Sequence, residues 1–251
     1  MTEEMRPVNL QSLMRFSCNS KNECFNDCCR DLNQALTPYD ALRLKNNLGI
    51  LSHVFLKTYT SLHYGPESGL PVIEFKPNPD TDHACPFVTS QGCSVYVDRP
   101  GSCRMYPLAR AIARSRETKI ITEYYALIEE PHCKGFGQET SLTVREWLKG
   151  QDVDRHNGHN DKLMELISLK NTILPGKLEG HLSDKFYLAL YNIDEFREQI
   201  FSKDLLDEFH ISDKVLDKVQ TDDEALLDLG IEWVKYMLFG IKMTGEEWHG
   251  Y

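Results

Sequence analysis

The sequence lacks the features that would place it in a membrane or outside the cell. No uninterrupted apolar run approaches the roughly 18 residues that a membrane-spanning helix needs. The first residues, Met1-Thr-Glu-Glu-Met-Arg-Pro7, have neither the basic region nor the apolar run of a secretory signal peptide. We therefore expect a cytoplasmic protein that has no membrane partner.

Positive charge is also scarce. The chain contains 28 Lys and Arg residues against 38 Asp and Glu residues, which gives a formal net charge of −10. A diffuse negative charge repels phosphate backbones and anionic lipids, so nucleic acid is not an expected partner. Hydrophobic residues make up 41% of the 251 residues, enough for an ordinary globular core. The cysteines are therefore not compensating for a small core.

Recognised catalytic motifs are missing as well. The sequence has no Gly-x-Gly-x-x-Gly, no Walker loop, no Gly-x-Ser-x-Gly and no His-Glu-x-x-His. It also has no Cys-x2-Cys pair, which excludes a zinc ribbon and a thioredoxin-like redox site. No catalytic residue can be named on this basis, and whether the protein is an enzyme stays open.

Eight cysteines are the most informative residues that are present. In a reducing compartment such a set is more typical of metal binding than of disulfides, and thiolates suit zinc, copper(I) and iron–sulfur clusters. Four thiolates complete one tetrahedral zinc site or hold one cubane, so eight suffice for two sites, or for one site with other thiols to spare. The predicted metal ligands are Cys18, Cys24, Cys28, Cys29, Cys85, Cys93, Cys103 and Cys133.

Two other interpretations compete with metal binding. Buried thiols can pack as small hydrophobic groups, and cysteines can pair in disulfides. Both explain poorly why four cysteines crowd into residues 18–29 beside Asn, Lys, Glu and Asp. Adjacent residues such as Cys28 and Cys29 cannot easily aim both sulfurs at one small ion. We therefore expect a metal site to combine ligands from residues 18–29 with ligands from residues 85–133.

The number of thiols and the absence of zinc-knuckle spacing favour an iron–sulfur centre, with a 4Fe-4S cluster preferred, and zinc is the alternative. Five arginines lie between residues 99 and 116, and Arg104 directly follows Cys103. We expect Arg104 to lie beside the ligands, where its guanidinium would offset the negative charge of the centre. His83 and His132 are expected to make local hydrogen bonds rather than to bind metal.

The distribution of these signals predicts a helix-rich α+β fold in two parts. Residues 1–140 would form an irregular, cysteine-rich metal-binding domain, and residues 141–251 an all-helical extension packed on it. Capping boxes at Thr143–Glu146 and Thr221–Glu224 each precede an apolar periodic run. Strands are predicted over residues 71–75, 93–97 and 119–128. A helix is predicted from Pro38, after an N-cap at Thr37, to its end at Gly49, with further helices over 52–58, 161–174 and 183–201 and a loop over 156–159.

Several motifs, in the right order, make the segment from Phe16 to Pro107 similar to the YkgJ-type cysteine-cluster family. These motifs are Phe16-Ser-Cys18, Cys24-Phe-Asn-Asp-Cys28-Cys29-Arg30, Leu36-Thr-Pro-Tyr-Asp40, Cys85-Pro-Phe87, Gly92-Cys93-Ser-Val-Tyr96 and Arg99-Pro-Gly-Ser-Cys103-Arg-Met-Tyr-Pro107. The resemblance implies a zinc- or iron-chelating domain. The family usually opens with Cys-x2-Cys-x2-Cys-Cys, whereas this chain has wider gaps before its adjacent pair.

These observations together predict a metal-binding protein that holds an iron–sulfur or zinc centre through its cysteines, with redox chemistry or electron transfer as its role. A structural zinc scaffold, which would have a protein partner, is the first alternative. Flagellin lysine methylases carry a similar cysteine cluster, so a methyltransferase-like enzyme is the second. The missing glycine-rich strand–helix turn for a methyl donor counts against that second alternative.

Overall fold

A computed structural model of the chain describes residues 4–30, 34–76, 79–81, 83–115, 117–118, 120–137, 139, 141–209 and 211–243. Short strands and helices alternate in the first half, and helices dominate the second half. The predicted helix-rich α+β fold is therefore confirmed. None of the helices in these described ranges has the length and apolar character needed to cross a membrane.

The chain divides into two compact units, each built from two separate segments. Unit 1 comprises residues 1–32 and 77–157, and unit 2 comprises residues 33–76 and 158–251. The sequence prediction of one domain over 1–140 and another over 141–251 concerns independent folding, and it stays a prediction.

A three-stranded antiparallel sheet forms one side of the core of unit 1. Its strands are β1 (Glu4–Val8), β8 (Leu108–Arg114) and β9 (Ile121–Glu129), in the order β1-β9-β8. The inner face contributes Leu108, Tyr125 and Leu127 to the core. The other buried members of this core are Met14, Met105, Val144, Leu148 and Val153.

Shorter elements complete unit 1. Strand β2 (Leu13–Met14) pairs with β10 (Leu142–Thr143), and β6 (Val88–Thr89) forms a hairpin with β7 (Gly92–Cys93). The helices are α3 (Gly101–Met105) and α4 (Val144–Gly150). The predicted capping box at the start of α4 is confirmed, because Thr143 accepts from the Glu146 backbone and the Glu146 carboxylate accepts from the Thr143 backbone.

The strand predicted over residues 93–97 is wrong beyond its first residue. After Cys93 the chain turns into a short 3-10 helix, Tyr96–Asp98. The guanidinium groups of Arg99 and Arg104 donate to the carbonyl oxygens of Tyr96 and Val97, respectively. These carbonyls are therefore hydrogen-bonded to side chains rather than to a neighbouring strand. Val95, Tyr96 and Val97 favour a strand by composition, but these tertiary contacts determine the local structure instead.

Unit 2 begins with a small sheet and two helices. The sheet has the order β3-β5-β4, from strands β3 (Ala35–Leu36), β4 (Thr60–Tyr64) and β5 (Pro71–Phe75). The helices are α1 (Pro38–Leu48) and α2 (Ser52–Tyr59). The predicted limits of α1 are confirmed, because Thr37 caps its start and Gly49 ends it in the left-handed conformation, with φ of 64°.

The residues described after β10 and α4 contain five further helices, of which α5 starts in unit 1 and continues into unit 2. They are α5 (Asp154–Ile173), α6 (Gly180–Leu190), α7 (Ile193–Ser202), α8 (Asp213–Thr221) and α9 (Asp223–Phe239). The loop predicted over residues 156–159 is wrong, because these residues lie inside α5. The helix predicted over 183–201 is interrupted at Tyr191–Asn192, and α9 is capped by Asp222 rather than by Thr221.

We predict that Gly230→Ala destabilises unit 2. Gly230 lies in α9, and a β-carbon there would come 2.6 Å from the carbonyl oxygen of Ala189 in α6. The free energy of unfolding should fall by about 1–3 kcal/mol, as is typical of overpacking. Gly158→Ala is the matched control, because its β-carbon would have no neighbour within 4 Å. Equal stability of the two variants in urea unfolding would contradict this packing.

Candidate metal centre

All eight cysteines lie in unit 1, and within the described residues none is in a disulfide. They come from six places in the fold. Cys18 follows an isolated β-bridge, Cys24 lies in a turn, and Cys28 and Cys29 belong to a 3-10 helix, Asp27–Cys29. Cys85 and Cys93 flank the β6–β7 hairpin, Cys103 lies in α3, and Cys133 lies in a turn after β9.

A short antiparallel pairing brings Cys18 towards Cys133. Phe16 bridges Phe136, and the backbone N–H of Ser17 donates to the carbonyl of Gly135 at 2.9 Å. The Phe16 ring packs on Phe136 at a centroid distance of 5.0 Å and is itself 4% exposed. This aromatic packing anchors two segments that lie more than a hundred residues apart in sequence.

The loop that carries Cys24 is tied to the same place. Asn22 donates from its side chain to the carbonyl of Ser17 at 2.7 Å. The backbone N–H of Lys134 donates to the sulfur of Cys24 at 3.0 Å. Asn26 adopts a left-handed conformation, with φ of 72°, and turns the chain into the helix that contains Cys28.

Four thiols line one small cavity at this junction. Its volume is about 20 Å³, enough for a body the size of a single water molecule. The lining residues are Phe16, Cys18, Asn22, Cys24, Cys28, Tyr106, His132, Cys133 and Gly135. The cavity therefore gathers three thiols of the early cysteine group and one thiol of the later group, the combination that the sequence predicts.

The hydroxyl of Tyr106 is a buried polar atom in the wall of this cavity. In its present orientation it completes no hydrogen bond within the described residues, but the thiol of Cys133 and the carboxylate of Glu130 lie beside it. Burial, followed by these two neighbours, raises the pKa of Tyr106, so the hydroxyl keeps its proton. A buried donor is costly unless it has an acceptor, and a thiolate formed at Cys133 would supply one.

Three of the four thiols around the cavity, those of Cys18, Cys28 and Cys133, have a raised pKa and hold their protons in the metal-free chain. Partial burial, followed by the charges of Cys28, Cys24 and Cys133, raises the pKa of Cys18. A hydrogen bond with Cys29 is the main cause that raises the pKa of Cys28, and desolvation adds to it. Burial also raises the pKa of Cys133. Thiolates so close together repel one another unless a cation neutralises them.

The thiols of the cavity are not arranged as a closed metal site. In the described part of the chain, no group of three or more His, Cys, Asp or Glu side chains is already arranged to hold a metal ion. The backbone brings the four thiols to one cavity, but the side chains do not point at one centre. The donor set fits a thiophilic ion such as zinc or iron, and closure of the site requires deprotonation and rotation of the thiols.

A second group of thiols lies beyond Cys28. The backbone N–H of Cys85 donates to the carbonyl of Cys29 at 2.7 Å. Burial raises the pKa of Cys85 to about 11, and the charges of Cys93 and Cys28 contribute. Cys85 is thus the link between the adjacent pair and the β6–β7 hairpin.

The two central arginines have different surroundings. Arg104 is buried and donates to the backbone carbonyls of Arg99, Val97 and Gln151, so its described contacts are with the main chain. Arg99, by contrast, lies close to thiols. Burial raises the pKa of Cys18 and of Cys93, and the positive charge of Arg99 partly offsets this increase. Arg116, another of the five, lies outside the described residues.

Sequence reasoning missed three residues of this site: Asn22, Arg99 as the arginine close to thiols, and Tyr106. Tyr106 is part of the Cys103-Arg-Met-Tyr-Pro107 motif, and this adjacency to a predicted ligand was a usable signal. His132, which was expected to make local hydrogen bonds, lines the cavity and approaches Glu130 at 3.7 Å.

Residues 17–134 match the CxxCxxCC family, which is described as a putative zinc- or iron-chelating domain. The matched segment contains all eight cysteines. No curated protein and no solved structure matches the chain. Residues 17–134 are therefore similar to this family, and the resemblance that the motifs suggested is confirmed.

We predict that Gly135→Ala disrupts the cavity. A β-carbon at Gly135 would lie 2.6 Å from the Phe16 ring and 3.0 Å from the carbonyl oxygen of Ser17. The variant should be less stable by about 1–3 kcal/mol and should retain less metal on purification. Gly150→Ala in α4 is the control, because nothing lies within 4 Å of its added carbon. Wild-type metal content and stability in Gly135→Ala would show that this contact does not position the thiols.

Proposed function

We propose that the cavity binds one zinc or iron ion through the thiolates of Cys18, Cys24, Cys28 and Cys133. The observation that carries this proposal is the convergence of four thiols and an unpartnered hydroxyl on one cavity of about 20 Å³. Tetrahedral sites with four thiolates are typical of zinc and of iron. The cavity is about the size of a single ion, and on this ground the proposal places one zinc or iron ion there rather than the 4Fe-4S cubane that the number of thiols favoured.

The ion in this proposal has a structural role. Four protein ligands leave no open coordination position for a substrate, as in structural zinc sites. The ligands come from residues 18–28 and from residue 133, so the ion cross-links the two ends of a very long chain segment. Binding therefore contributes directly to the folding of unit 1. This role agrees with the zinc scaffold considered from the sequence rather than with electron transfer or methyl transfer.

The remaining cysteines, Cys29, Cys85, Cys93 and Cys103, are proposed as ligands of a second ion. Support comes from the hydrogen bond between Cys85 and Cys29 and from the hairpin that places Cys93 near Cys85. The charge of Arg99 beside Cys93 would help to offset the charge of such a centre. In this proposal Arg104 does not contact the ligands. It acts indirectly, by holding the backbone of Val97 and Arg99 in place.

We predict that Cys133→Ser removes one equivalent of metal. A hydroxyl is a poor ligand for a thiophilic ion, so the four-thiolate site should lose its occupancy. Cys18→Ser, Cys24→Ser and Cys28→Ser should each give the same loss. Metal per chain is measured by elemental analysis of protein purified without oxygen.

The matched control for this series is Cys103→Ser, an exposed cysteine that does not line the cavity. It should lose only the second equivalent, so the double variant Cys103→Ser/Cys133→Ser should lose both. If Cys133→Ser keeps the wild-type metal content, or if the double variant loses no more metal than either single variant, the assignment of the cavity is wrong.

We predict that Tyr106→Phe weakens metal binding without changing its stoichiometry. The hydroxyl should donate to a ligand thiolate, with Cys133 the nearest candidate, and loss of such a partner typically lowers metal affinity roughly tenfold to a hundredfold. Competition with a chromogenic chelator measures this affinity. Tyr125→Phe is the control, because Tyr125 is a buried tyrosine in the core of unit 1 whose neighbours are Glu123 and Arg110. Equal affinities in the two variants would exclude the Tyr106 hydroxyl from the site.

A further inference from the structure

The outer face of the β1-β9-β8 sheet carries no charged side chain. In an antiparallel ladder, register partners share a face, so the residues that alternate with Leu108, Tyr125 and Leu127 lie on the side away from the core. We call these nine residues the outer face. They are Met5, Pro7, Ala109, Ala111, Ala113, Thr122, Tyr124, Ala126 and Ile128.

This face reverses the usual pattern of an antiparallel sheet, in which polar residues point outward. The ion pairs of the sheet, Arg110 with Glu123 at 2.8 Å and Arg6 with Glu129 at 3.2 Å, belong to the inner set of positions. On the outer face, Tyr124 is 57% exposed and Met5 is 56% exposed. A contiguous uncharged surface in a chain with 26% charged residues marks an interaction site.

The outer face of one copy is complementary in shape to the outer face of a second copy. Strand β8 presents only alanines, Ala109, Ala111 and Ala113, whereas β9 presents the bulkier Tyr124 and Ile128. A two-fold axis in the interface, parallel to the strands and midway between β8 and β9, places β8 of each copy over β9 of the other. Because Ala111 and Tyr124 are register partners, the axis sets each Tyr124 ring against Ala111 of the second copy.

Charge also favours a second copy in this position. Each chain has a net charge of −10, so two copies repel one another across most of their surfaces. Approach is least unfavourable where neither copy presents a charge. We propose that the outer face is the interface of a homodimer, in which two sheets stack face to face.

The size of the interface sets its strength. Strand β8 has 7 residues, so two strands cover about 24 Å by about 10 Å. This footprint is well below the roughly 800 Å² that each partner buries in a standard interface. The dimer should therefore be weak, and its population should rise with protein concentration.

Sedimentation velocity of the full-length protein, over a wide range of concentration, tests the proposal. Wild type should shift from monomer to dimer, and Tyr124→Lys and Ala111→Glu should each stay monomeric with unchanged circular dichroism. A mixture of the two variants should associate again, because the introduced lysine and the introduced glutamate face each other across the two-fold axis. The control Leu13→Lys, at a residue 69% exposed outside this sheet, should dimerise like wild type.

Two results would overturn the proposal. One is a wild-type protein that stays monomeric at the highest concentration reached. The other is a dimer that persists in both Tyr124→Lys and Ala111→Glu, since association would then use another surface. Metal content is measured in parallel and should be the same in all of these variants, so failure of the dimer leaves the metal centre untouched.

Discussion

The close packing of Phe16 against the backbone at Gly135 is the contact on which the rest of the site depends. It holds the segment before Cys18 in antiparallel register with the segment after Cys133. Glycine is required because any β-carbon at that position would clash with the Phe16 ring. The apolar packing of the core thereby performs the long-range part of assembling the site, and short turns place the other thiols.

The electrostatics of the cavity link binding of the proposed ion to the stability of unit 1. Gathering thiols in a partly buried site keeps them protonated, and thiolates there would repel one another. In the proposed site, a bound cation would remove this repulsion and give the Tyr106 hydroxyl an anionic acceptor. The ion would link the ends of a loop of more than a hundred residues that Phe16 and Gly135 already hold together, and the free energy of binding would add to the stability of unit 1.

The sequence predicted local features well and long-range ones poorly. The ends of α1 were predictable because Thr37, Pro38 and Gly49 act within one turn of the backbone. The α+β class and the similarity to the CxxCxxCC family followed from patterns confined to short segments. The pairing of Phe16 with Phe136 and the placing of Tyr106 in the cavity depend on contacts across the chain, which no local spacing encodes. The 3-10 helix at Tyr96–Asp98 likewise depends on a hydrogen bond from the side chain of Arg104, which lies several residues away in sequence.

X-ray absorption spectroscopy of the purified metal-loaded protein tests the central claim most directly. The account predicts that the tightly bound zinc or iron ion has four sulfur neighbours at about 2.3 Å and no second metal at short range. Acid-labile sulfide should be absent from the same sample. Short iron–iron scattering together with stoichiometric sulfide would contradict a single ion, and nitrogen or oxygen neighbours in place of sulfur would contradict the four-thiolate cavity.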